Sequence, residues 1–246
     1  MKKSIILSIL GILGFLSSNA QFKIGLTGGV DFPKMSVRRE YQNDFRIMVN
    51  PGFHVGLASR CQVSENLSIA TDLILSRKGL SQSFHEIGFP IGGITDSVKN
   101  IDVSLYYIEM PVLMEFKARF EKMNVLFGIG PYVAYGLKGA VDLDIYARSG
   151  DIHYSEDVRW SKYNAFTGNM GERVVYESGY SQIKRLDYGP ALRFGVEFNS
   201  LVLSAEFKYG LANLMWEYRA DERMNNQTLG LSARYLFNFK KPAASN

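Results

Sequence analysis

The chain is poor in the features that mark most function classes. One cysteine, Cys61, stands among 246 residues, so no intramolecular disulfide can form and a disulfide scaffold is excluded. Past residue 20 no run of eighteen apolar residues occurs, which excludes membrane-spanning helices. Helical periodicity is scarce as well. Neither sign of charge dominates. The 28 Lys and Arg against 24 Asp and Glu give a formal +4, and loss of Lys2 and Lys3 would leave +2. That balance lacks the electrostatic footprint of a nucleic-acid protein. What remains, 46% hydrophobic with 13% aromatic, is the composition of a folded chain and not of collagen or a disordered tail. The length suffices for one large or two small domains.

The N-terminus carries the first positive signal. Met1, Lys2 and Lys3 precede an apolar stretch over 5–16, followed by the small-residue run Ser17-Ser18-Asn19-Ala20. This order predicts a secretory signal peptide over 1–20, cut before Gln21. As a membrane anchor the apolar stretch would be too short, because twelve residues of helix reach only about 18 Å against a hydrocarbon core of about 30 Å. A lipoprotein would need cysteine at the cleavage point, where the sequence has none. Residues 21–246 are therefore expected to be exported without a lipid anchor.

Alternation at period two then runs through the chain. Val125, Phe127, Ile129, Pro131, Val133, Tyr135 and Leu137 share one face, opposite Asn124, Leu126, Gly128, Gly130, Tyr132, Ala134, Gly136 and Lys138. One face is large and apolar, the other small or polar. The same split recurs after Leu186 and after Leu201. Eight strands follow, at roughly 22–30, 51–61, 67–77, 103–117, 123–139, 185–198, 201–213 and 227–239. Their connections alternate: long at 31–50, short at 62–66, long at 78–102, short at 118–122, very long at 140–184, short at 199–200 and long at 214–226.

Sorted connections of this kind predict an all-β fold, an eight-stranded antiparallel transmembrane β-barrel with short periplasmic turns and long extracellular loops, in the outer membrane of a Gram-negative bacterium. Burial points the same way. A soluble sandwich or ligand-binding barrel would show a face rich in Lys, Glu, Thr and Ser, whereas here the second face is crowded with Gly and Ala among isolated charges. That mixture suits the interior of a narrow barrel, and the apolar face then meets outer-membrane lipid. Phe22, Tyr106, Phe116, Tyr188, Tyr209, Tyr235, Phe237 and Phe239 are placed as interfacial girdle residues.

The alternation puts Lys23, Arg60, Lys117, Arg193, Lys208 and Arg234 inside, with Asp72, Glu109, Glu115, Asp187, Glu197 and Glu206. Six cations face six anions, and pairing across 199–200 sets Arg193 opposite Glu206. Uncompensated buried charge is costly, so balance is expected. An ion channel would show an excess of one sign at its constriction; a plugged lumen is expected instead.

A catalytic set is not evident. His54 should face the lumen diagonal to Asp72, but no motif places a nucleophile with it, and the inward Ser68 and Ser76 read as ordinary strand residues. The group Asp142, Asp144, Asp151, His153, Glu156 and Asp157 lacks the spacing of an EF-hand or zinc site. Gly128-Ile129-Gly130 sits mid-strand and cannot be a phosphate loop, and Cys61 reads as a small apolar residue. The expectation is no enzyme, no metal, no cofactor, no nucleic acid and no small-molecule substrate. The loop at 140–184 is different: Tyr146, Tyr154, Trp160, Tyr163, Phe166, Tyr176 and Tyr180 make it a candidate partner-contact surface.

The strands also carry a family resemblance. Tyr107-Ile108-Glu109-Met110-Pro111, Gly128-Ile129-Gly130-Pro131-Tyr132, Asp187-Tyr188-Gly189, Gly195-Val196-Glu197, Tyr209-Gly210-Leu211 and Leu229-Gly230-Leu231-Ser232 with Tyr235 resemble the PorT-type outer-membrane β-barrel family of Bacteroidota over nearly the whole mature chain. The ending Ala20-Gln21 resembles exported proteins of that group. The resemblance implies a non-enzymatic barrel, most directly an accessory of type IX protein secretion that contacts envelope or secretion-system proteins. A structural or adhesion-type envelope barrel is the alternative. The tail after residue 239 departs from the family pattern, in which many members end at the final aromatic.

Overall fold

The alternating segments fold as strands. The computed structural model describes residues 22–38, 46–91, 94–147, 150–158, 160, 184–214 and 223–237. Nine strands are formed: β1 (Phe22–Arg38), β2 (Arg46–Gln62), β3 (Leu67–Ile91), β4 (Ile94–Arg119), β5 (Asn124–Ala147), β6 (Gly150–Asp157), β7 (Leu186–Phe198), β8 (Leu201–Tyr209) and β9 (Arg223–Phe237). All but β6 close an antiparallel ring of eight, with β4 pairing β5 and β9 returning to β1. No helix occurs among the described residues. The signal peptide expected over 1–20 and its cleavage point lie outside them.

The apolar parity faces outward. Phe127, Ile129, Val133 and Tyr135 on β5, and Leu192, Phe194 and Phe198 on β7, are exposed, while Leu126, Tyr132, Ala134, Ala191 and Arg193 between them are buried. Girdle residues Phe22, Phe116, Tyr188, Tyr209, Tyr235 and Phe237 are exposed and Tyr106 is half-exposed, whereas Phe239 lies outside the described residues. A wall of this kind is stable only against hydrocarbon. The tight turn between β7 and β8 puts Asn199 at φ 54°, a left-handed conformation that Asn tolerates and a two-residue hairpin requires.

Three differences from the sequence reading concern strand extent and facing. Much of the expected loops 31–50 and 78–102 is strand, since β1 and β2 run to Arg38 and from Arg46, and β3 and β4 meet at Ile91 and Ile94. β4 alone has 26 residues, about 86 Å of extended chain at 3.3 Å each, against the roughly 9–11 residues that span a membrane. The excess stands outside the bilayer, where the outward face no longer needs to be apolar: on β4 the parity inverts, with Ile101, Val103 and Leu105 buried and Asp102 and Ser104 half-exposed. At the other extreme, the strand expected over 201–213 ends at Tyr209. The segment after it still docks: Gly210 donates to Asn226 and Leu211 to Tyr188 through their backbones. Finally, a register shift between Tyr106 and Tyr107 marks a bulge at Leu137, and Lys138, expected on the lumen face, is turned outward.

Above Tyr135 the edge of β5 changes partner. Tyr135 is matched with Leu186 of β7, but Ala140 to Ala147 are matched with β6. The first part of the expected loop 140–184 is thus a hairpin rising from the ring.

Candidate functional site: a charge-filled lumen capped by Trp160

The inward parity of eight strands converges on the barrel axis, and side chains fill it in layers. Near the short-turn end Ala58, Leu126, Val202 and Leu236 form a small apolar cluster. Beside it Arg60 donates from Nη1 to Glu197 Oε1 at 2.6 Å and from Nε to Glu115 Oε2 at 2.9 Å. Lys117 lies 3.0 Å from Glu197. Lys23 and Lys117 are half-buried at the rim, and the other ten residues of the expected charge network are buried.

The middle layer is built on Arg193. Its Nε donates to Glu206 Oε2 at 2.7 Å and its Nη1 to Glu115 Oε1 at 3.2 Å, and Nη2 pairs with Asp72. Arg193 and Glu206 face each other directly across β7 and β8. Arg234 reaches the same Glu115 oxygen at 3.3 Å. Above, Glu109 takes Lys208 and Lys78, each at 2.7 Å, and a hydrogen bond from Ser76. Lys78, fully buried, lies one residue past the strand expected over 67–77 and so is absent from the expected charge network.

A third group bridges the seam between first and last strands. His54 on β2 stands 3.0 Å from Asp31 Oδ1 of β1 through Nδ1, and 2.9 Å from Ser232 Oγ of β9 through Nε2. His54 was expected in the lumen, but its partners are not the Asp72, Ser68 or Ser76 that sequence offered. Asp31 falls within the loop expected over 31–50, and Ser232 joins only because the ring closes. Two glycines make room: a Cβ on Gly29 would lie 2.7 Å from the imidazole, and one on Gly230 2.6 Å from Asp31 Oδ1. The order of the three groups is that of a Ser-His-Asp triad. The cavity beside them, also lined by Thr27, Asp72 and Arg193, holds about 10 Å³, space for at most one water. On the lumen side, where Ser232 meets His54, an acyl substrate does not fit.

Near the extracellular end Asp187 accepts from Tyr132 Oη and Asn226 Nδ2, both at 3.0 Å. Lys78 lies over the rings of Tyr107 and Tyr132, at 5.4 and 5.7 Å. Trp160 closes this end. Its ring meets Tyr107 edge-on at 6.0 Å and lies where a Cβ on Gly136 would come within 2.3 Å of it. Of the remaining expected contact residues, Tyr146 and Tyr154 belong by backbone to the β5–β6 hairpin, matched with Asp151 and Leu143. Tyr163, Phe166, Tyr176 and Tyr180 lie outside the described residues.

On that hairpin His153 is exposed, with Nδ1 2.9 Å from Asp144 Oδ1. This bond to Asp144 raises the imidazole pKa above its ordinary value. Among the described residues no group of three or more His, Cys, Asp or Glu is placed to hold a metal ion.

A closed antiparallel ring with an apolar outer wall and a polar, ion-paired interior defines an integral β-barrel membrane protein. The family model described as "outer membrane protein beta-barrel domain" matches residues 17–216; the chain belongs to that family and is an outer-membrane protein. Among solved structures it is similar to the attachment invasion locus protein Ail of Yersinia pestis, at 14% identity over 88% of this chain and 99% of that one, TM-score 0.36. It is also similar to OprG of Pseudomonas aeruginosa, at 9% identity over 89% and 96%, TM-score 0.45, and to Neisserial surface protein A, at 11% identity over 89% and 100%, TM-score 0.40. Comparison with curated proteins gave no match.

Proposed function

We propose that the protein is a non-enzymatic scaffold that works through protein contacts at its two ends. The observation that carries this reading is the filled lumen: Arg60, Arg193, Lys208 and Lys78 tie Glu197, Glu115, Glu206 and Glu109 across the bore, and Trp160 caps it. Nothing of the size of a peptide or sugar passes such an interior. Its working surfaces are therefore the extracellular hairpins and the periplasmic turns. The resemblance of Tyr107-Ile108-Glu109-Met110-Pro111 and its companion segments to the PorT-type family supports a role as an accessory of type IX protein secretion. The test is a clean deletion in the native host with a complemented control. Cargo held as precursor in the periplasm is the expected outcome, and normal export would rule the secretion role out. A second reading, an adhesion-type barrel, is favoured by the length of β3 and β4 beyond the membrane. Shaving intact cells with protease would then abolish surface attachment while export stays normal.

A further inference from the structure

The outer wall carries a cationic site at the upper limit of its apolar belt. Arg77 of β3, Tyr106 of β4 and Lys138 of β5 are matched in register, so the Cα atoms of the two cationic residues stand about 10 Å apart, one strand spacing of about 5 Å on either side of the tyrosine. Lys138 is there because of the bulge: Leu137 and Lys138, consecutive residues, both face outward. Without the extra residue Lys138 would fall on the lumen parity. Bulges re-aim side chains at functional positions, and this one moves a cation out of a charge-balanced interior to sit beside Arg77. A third cation, Arg185, lies over the outward Tyr135 ring at 5.6 Å.

Arg185 also lies over the Trp160 ring at 5.7 Å, but Arg77 and Lys138 are not consumed by internal pairing. Arg77 donates from Nη2 to Ser104 Oγ at 3.0 Å, which orients the guanidinium. No carboxylate among the described residues pairs with Arg77 or Lys138 within 4.0 Å. Asp157, matched with Ala140, is the outward carboxylate on the neighbouring diagonal; Asp102 and Asp142 lie four residues further along their strands, about 13 Å away. Directly below, Leu75, Ile108, Tyr135 and Leu137 are exposed to lipid.

We propose that this wall binds the phosphorylated headgroup of an outer-leaflet lipid. Arg77 and Lys138 bracket a phosphate, the guanidinium offering its fork and the ammonium a point charge, while the Tyr106 hydroxyl donates between them. The acyl chains lie on the apolar wall beneath. The continuity of cations with that wall selects a lipid over a soluble anion, which would gain nothing from the belt.

The test uses the mature chain refolded into phosphatidylcholine nanodiscs, titrated with bisphosphorylated lipid A, with its dephosphorylated form, and with chain-free glucosamine phosphate. Folding is checked by the shift in gel mobility between unheated and boiled samples. Binding of the phosphorylated lipid at least tenfold tighter than of the other two is expected, lost in R77Q/K138Q and kept in R119Q/K122Q, which removes equal charge from a periplasmic turn. The single variants R77Q and K138Q should each be intermediate, which keeps the test open if the double variant does not fold. Equal binding of the dephosphorylated lipid, equal binding of the chain-free sugar phosphate, or wild-type affinity in R77Q/K138Q would each overturn the proposal.

Discussion

Replacing Arg193 by Met tests whether the lumen is as dry and as tightly paired as its geometry implies. The substitution keeps most of the side-chain volume and removes the cation that Glu206, Glu115 and Asp72 share. Their losses are unequal. Glu115 keeps Arg60 at 2.9 Å and Arg234 at 3.3 Å, and Glu206 keeps Lys208 at 3.3 Å, but Asp72 is left with Arg234 at 4.0 Å. Removing one partner from a buried ion network costs about 3–5 kcal/mol, which lowers the folding equilibrium constant by roughly two to three and a half orders of magnitude. Because Asp72 carries most of the deficit, Arg193→Met with Asp72→Asn should recover at least about 1 kcal/mol, a coupling of ordinary size for neighbours. Urea unfolding from lipid vesicles, followed by gel mobility of unheated samples, measures each variant. Arg119→Gln is the control: its partner Glu65 lies 3.5 Å away and both side chains are more than half exposed, so less than about 1 kcal/mol is expected. If R193M lost no more than this control, the lumen would be hydrated and the case for a sealed bore would fail.

Gly136→Leu should drive the Trp160 ring from the mouth while the barrel stays folded, since a Cβ there already lies 2.3 Å from the indole; in a Trp216→Phe background the emission should shift to the red, and an unmoved spectrum would place Trp160 elsewhere. Ser232, despite its bond to His54, should not react with a fluorophosphonate in the folded protein, because the lumen cavity where its Oγ meets His54 holds about 10 Å³; labelling lost on S232A would show that the bore admits reagents. His153 should titrate above its ordinary value by NMR, and Asp144→Asn should bring the midpoint down. A raised folded-state pKa favours the native hairpin below the unfolded value and loses that contribution as pH rises through the folded one, so a midpoint unchanged by D144N would refute the pairing. In planar bilayers the wild-type protein should conduct negligibly, and steady size-resolved channels would contradict the ion-paired lumen.

Strand count, facing and loop sorting were legible because, within a bilayer, each residue meets either lipid or lumen and the two environments select opposite residue types. That constraint stops at the membrane surface. Residues such as Ser81, Gln82 and Ser83, polar on both parities, therefore read as loop although β3 continues through them. Lys138 was misplaced for a related reason: a bulge is one extra residue, and nothing in the local composition distinguishes it from continued alternation. The Asp31, His54 and Ser232 group was illegible because its members come from β1, β2 and β9 and meet only through ring closure, 178 residues separating His54 from Ser232. The apposition of Trp160 and Gly136 hides likewise, since a missing side chain leaves no mark of what occupies its space.

The change of partner at Tyr135 bears on how such a barrel can diversify. Within a closed ring every insertion must be matched around the circumference, because the stagger of all eight strands is fixed jointly. The β5–β6 hairpin lies past the last β5–β7 pair, so among the described residues its length enters no closure condition. Its β5 limb stays matched with β4 as far as Tyr146, so residues can be added at the tip, beyond that pair, without changing the diameter or tilt of the wall below. It is the natural graft point on this scaffold, where foreign sequence could be displayed at the cell surface while the membrane-embedded part folds as before.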